Sequence, residues 1–112
     1  MEKMTAAESK ENAKTILQQL GGGRFVAMTG AKNFTCDGLK LMFRIGRNCK
    51  NVNYVTVAYD RGADLYNMKF ENVRMSRKTY DVTRKVIAEH SGIYFDQMQE
   101  IFTADTGLYT SL

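Results

Sequence analysis

The residues able to act as base or nucleophile are few. The chain holds one histidine, His90, and two cysteines, Cys36 and Cys49. A catalytic dyad needs a serine or cysteine held against that imidazole, and no nucleophile elbow, phosphate loop or metal-spaced cluster of His, Asp and Glu provides the setting. His90 therefore reads as a loop or helix-end residue. Glu89 with Glu100, or Asp60 with Asp64, can approach each other as acid and base, but in an ordinary mixture of twelve acids their spacing carries no signal. The two cysteines match no zinc or redox spacing and are too few for a disulfide framework, so reduced thiols are expected. The expectation is a non-catalytic protein with no cofactor and no metal.

The chemistry with a clear pattern is electrostatic. Net charge is +4, unevenly spread. Residues 1–20 hold three cations and three acids. Residues 21–85 hold thirteen Lys and Arg against five Asp and Glu, and residues 86–112 hold four acids and no Lys or Arg. A basic middle followed by an acidic end points to a polyanionic partner for the middle.

The elements that must position those cations follow from the pattern of apolar residues. At 112 residues with 44% hydrophobic and 25% charged residues, the chain suits one domain spanning 1–112, with residues 1–4 expected to be flexible. It shows no signal peptide and no apolar run near the roughly 18 residues that cross a bilayer, so a cytoplasmic location without membrane contact is expected. Thr5 and Glu8 have capping-box spacing. Ala6, Ala13, Ile16, Leu17 and Leu20 then mark one helical stripe, and Gly21, Gly22 and Gly23 read as its terminator. From residue 24 the period shortens to two. Residues 24–29, 33–36, 39–45, 53–60 and 64–74 read as strands, with a tight hairpin at Asp37-Gly38. Residues 79–90 fit a strand or a helix, and strand is the reading chosen. A helix over 94–106 closes the chain, with Gly107 as its cap and residues 109–112 as a short tail. The fold class expected is α+β: an N-terminal helix, an antiparallel meander of about five to six strands, and a C-terminal helix packed on one face.

If Leu39, Leu41, Phe43 and Ile45 turn inward, Lys40, Met42 and Arg44 turn outward together; Tyr66, Met68 and Phe70 inward leave Asn67 and Lys69 outward. Either Tyr54, Thr56 and Ala58 or Val55, Val57 and Tyr59 face out with them. Cations that follow phosphates and a ring that stacks on bases suit single-stranded DNA or RNA. The expected contacts are Arg24, Lys32, Lys40, Arg44, Arg47, Lys50 and Lys69, with Tyr54 as a stacking ring and Arg74, Arg77 and Lys78 widening the rim. The competing reading is a protein-interaction module or homo-oligomer, using Met42, Leu65 and residues 108–112 as an apolar patch.

Two stretches add a resemblance: residues 20–34 (LGGGRFVAMTGAKNF) and residues 98–112 (MQEIFTADTGLYTSL), with Asn53, Tyr54 and Val55 between. They resemble a group of small proteins encoded by bacteriophages and mobile elements. The resemblance implies such an origin and no particular substrate. It leaves two occupations for a small basic domain: handling viral DNA or RNA, or binding a host protein to block it. Within residues 29–33, Lys32 and Asn33 suit phosphate contact beside Gly30; a glycine turn capped by Asn33 is the favoured reading.

Overall fold

The structure is a computed structural model and describes residues 6–46, 50–60 and 62–108. In helix α1 (Ala6–Leu20) the 3.6-residue period brings Ile16 and Leu20 into the core, with Ala13 and Leu17 at its margin. The proposed cap at Thr5, like residues 1–4, lies outside the described residues.

The chain stays helical past the glycine run. Gly21, at φ 126°, separates α1 from a second helix, α2 (Gly22–Thr29), so α1 ends at the glycine run as expected, Gly22 and Gly23 open the next helix, and the strand expected over 24–29 is corrected to a helix. Six residues are too few to separate a period of two from one of 3.6, and tertiary burial decides. Phe25 and Thr29, one turn apart, both face inward. The Phe25 ring meets Phe43 edge-on at 5.5 Å and Phe102 at 4.9 Å. Gly30, in the left-handed region at φ 68°, caps α2 by donating its N–H to the Val26 carbonyl at 3.0 Å. The glycine turn expected between two strands is instead the end of a helix, and Asn33 lies within the strand that follows. A Cβ on Gly30 would meet the Gly46 backbone at 3.4 Å, so the end of α2 lies tightly against the segment that follows the second strand.

Five strands follow: β1 (Lys32–Asp37), β2 (Lys40–Arg44), β3 (Tyr54–Asp60), β4 (Leu65–Met75) and β5 (Val82–Ile93). Each pairs antiparallel with its sequence neighbour in the order β1-β2-β3-β4-β5, the expected meander. Of the ambiguous stretch, residues 82–90 are strand, within β5, which runs on to Ile93, while residues 79–81 belong to the preceding turn. The first hairpin turns through Gly38, at φ 59°, whose N–H donates to Ser9 Oγ at 3.1 Å and ties the turn to α1.

Alternation sorts the sheet as expected. Leu41, Phe43, Val55, Val57, Met68 and Phe70 are buried on one face. The helices cover that face. After a 3-10 turn (Phe95–Gln97), helix α3 (Met98–Thr106) inserts Met98 and Phe102, and Phe102 meets Phe70 at 6.0 Å. The expected cap at Gly107 adopts φ 76° and donates to the Thr103 carbonyl at 2.8 Å. Gln99 Nε2 donates to the Gln19 carbonyl at 3.2 Å, joining α3 to α1. No helix among the described residues is long and apolar enough to cross a membrane.

Candidate nucleic-acid interface

The second face of the sheet carries no described element. Direct cross-strand partners share a face, so the register defines its rows. One row runs Lys32, Arg44, Tyr54, Glu71 and Val86. A second runs Met42, Thr56, Lys69 and Glu89, and a third Lys40, Ala58 and Asn67. Lys32, Lys40 and Arg44 are exposed; Tyr54 and Lys69 are half-buried. The outward set on β3 is therefore Tyr54, Thr56 and Ala58.

Acids temper this face. Asp37 stands opposite Lys40 and Glu89 opposite Lys69. Glu71, 3% exposed, lies beneath Arg84, whose Nη1 is 3.5 Å from its carboxylate. Asp60 is turned into its own turn, accepting from the N–H groups of Gly62 and Ala63 at 3.1 and 3.3 Å. The second and third rows are thus locally compensated. The first is different: Lys32 and Arg44 have no acid partner in their row except Glu71, and Glu71 is engaged by Arg84. The Arg84 guanidinium also lies over the Tyr54 ring, 5.3 Å from its centre. Lys32, Arg44, Tyr54 and Arg84 form one band across the sheet.

Not every expected contact belongs to this band. Arg24 is exposed on α2, in the helix layer, so it is separated from the open face; the strand placement that put it there is corrected. Arg47 lies outside the described residues, as do Cys49 and the 109–112 tail. Lys50 lines a different concavity, a groove of about 640 Å3 shared with Asn51, Asn72, Arg74, Thr83 and Lys85. Met42 and Leu65, proposed as an apolar patch, are half-buried. Among the described residues the large exposed apolar ones are instead Phe34, Met75, Tyr80, Val82, Val86 and Tyr94. Arg84 and Lys85 were missed because they fall in the stretch whose period was ambiguous; only their charge signalled them.

His90 has a structural role in the fold. Its Nε2 is 2.5 Å from Asp105 Oδ2, pinning β5 to α3, and its ring meets Phe70 edge-on at 6.4 Å. The Tyr66 phenol is pushed above its usual range, first by burial and then by the Asp64 carboxylate.

No protein family, curated protein or solved structure matches the chain.

Proposed function

We propose that this protein is a non-catalytic binding domain that holds single-stranded nucleic acid across its open sheet face. The observation that carries the reading is the band of Lys32, Arg44, Tyr54 and Arg84. Strands stand about 4.8 Å apart, so a row from β1 to β5 spans roughly 19 Å, room for several nucleotides. Lys32 and Arg44 meet phosphates, and the Arg84 guanidinium, lying over the Tyr54 ring, offers a base a flat cationic surface backed by that ring. Lys40 and Lys69, each opposite an acid, contribute less.

Fluorescence anisotropy with labelled single-stranded DNA and RNA tests this. Three phosphate-neutralising cations on a single strand give a slope of log affinity against log salt near about −2, or a loss of roughly 20-fold from about 50 to about 200 mM salt. Lys32→Glu with Arg44→Glu is expected to abolish binding. Binding that ignores both salt and this double variant rejects the site.

A further inference from the structure

The register between β3 and β4 leaves part of the sheet unsupported. Tyr54, the first residue of β3, pairs with Glu71, while β4 continues to Met75 and pairs onward only with β5, down to Met75 opposite Val82. Residues 72–85 therefore form a two-stranded arm beyond the sheet body. The hairpin closes with Ser76 N–H donating to the Asp81 carbonyl at 2.9 Å and Tyr80 N–H to the Ser76 carbonyl at 2.8 Å. The arm root is anchored from below. Asn53 Nδ2 donates to the Val73 carbonyl at 2.8 Å, and its Oδ1 accepts the Val73 N–H at 2.7 Å.

The arm holds Arg74, Arg77, Lys78, Arg84 and Lys85 against Asp81 alone, while the rest of the chain balances eleven cations with eleven acids. The whole net charge of the protein thus resides in fourteen residues. Of the six large apolar residues exposed among the described residues, Met75, Tyr80 and Val82 are on the same arm and Val86 is at its root. Tyr80, at the tip, is 74% exposed and holds φ 59°, a left-handed conformation that glycine or asparagine adopts readily and tyrosine does not. A strained aromatic residue fully presented to solvent at a basic tip is an outlier that points to a partner.

We propose, building on the nucleic-acid reading of the sheet face, that this arm enters the major groove of duplex DNA. A two-stranded ribbon fits that groove, which is roughly 12 Å wide and 8.5 Å deep. Two residue pairs beyond the Asn53 anchor extend about 7 Å, and the turn closed between Ser76 and Asp81 carries the tip further, enough to reach the groove floor. Arg77, Lys78, Arg74 and Lys85 lie against the flanking phosphates, and the Tyr80 ring meets base edges. Five cations against one acid on fourteen residues match a polyanion such as the phosphate backbone. The deep, narrow major groove of duplex RNA does not admit the ribbon.

Anisotropy titrations of the intact chain against a duplex DNA, the same-sequence duplex RNA, a single strand and vesicles containing anionic lipid decide the matter. Duplex DNA is expected to bind at least tenfold more tightly than duplex RNA. Arg77→Glu with Lys78→Glu reduces duplex-DNA affinity at least tenfold and flattens its salt slope by about 2, with single-strand affinity within about twofold. Tyr80→Gly relieves the backbone without lowering Tm, yet weakens duplex binding about tenfold. Unchanged duplex affinity in both arm variants overturns the arm proposal, and if Lys32→Glu with Arg44→Glu still abolishes single-strand binding, the sheet-face reading stands apart from it. Vesicle binding that needs the arm, with no duplex affinity, overturns it in favour of a membrane surface. A wild-type chain that binds no nucleic acid overturns both.

Discussion

Tyr66 shows how one side chain reports on the packing around it. Burial, and then the Asp64 carboxylate, hold its phenol above the usual value of about 10. As the pH rises, the unfolded chain releases this proton before the folded one does. The stability Tyr66 contributes is therefore complete below about pH 10 and declines as the pH climbs through the raised folded-state value. Urea unfolding between about pH 9 and pH 11 should show falling stability in the wild-type chain and a flatter profile in Tyr66→Phe; identical profiles would assign the decline to other groups. Tyr59 donates to the same Asp64 carboxylate at 2.5 Å and its ring lies 5.1 Å from that of Tyr66, so one acid organises two phenols at the end of the β3–β4 hairpin.

At the scale of elements, the base of the arm depends on one amide. Asn53 precedes β3, yet its side chain gives Val73 both hydrogen bonds that a further strand residue would have supplied, while Asn72 Nδ2 donates to the Asn51 carbonyl at 2.6 Å. Asn53→Ala should strip both partners from Val73, at a cost of about 1–3 kcal/mol, and speed hydrogen exchange of the Val73 amide about tenfold or more while exchange in β2 is unchanged. Equal exchange in the two proteins would show that the arm is held some other way. The strands themselves were legible in the sequence, because one buried face imposes alternation: Leu41 and Phe43 against Lys40 and Arg44, Met68 and Phe70 against Asn67 and Lys69. Helix α2 was not, because Phe25 and Thr29 alone set its inward side and their burial depends on Phe43 and Phe102, far along the chain. The arm was half-legible. Its cations and its turn are plain in the sequence, but its projection depends on Tyr54 pairing with Glu71, a register that no local pattern states. The candidate band was readable at Lys32, Arg44 and Tyr54; Arg84 joined it only when β5 was placed.

For the whole molecule, the division of labour between the two sides of the sheet follows from where the helices dock. Phe25, Phe43, Phe70 and Phe102 form one connected aromatic cluster between the layers, and the last of them arrives from the far end of the chain. Truncating a buried phenylalanine costs about 3–5 kcal/mol, against a total stability of about 5–15 kcal/mol for a domain, so α3 supplies a large share of the fold's stability. This has a consequence during synthesis. A meander lets each hairpin form as it emerges from the ribosome, but the greasy side of those hairpins stays partly uncovered until Met98 and Phe102 are made. Ribosome-stalled nascent chains ending before Met98 should be cut rapidly by added protease, and chains long enough to expose residue 108 outside the exit tunnel should resist it; early resistance would mean that α1 and α2 suffice. The interval between those lengths is when the nascent protein most needs a chaperone.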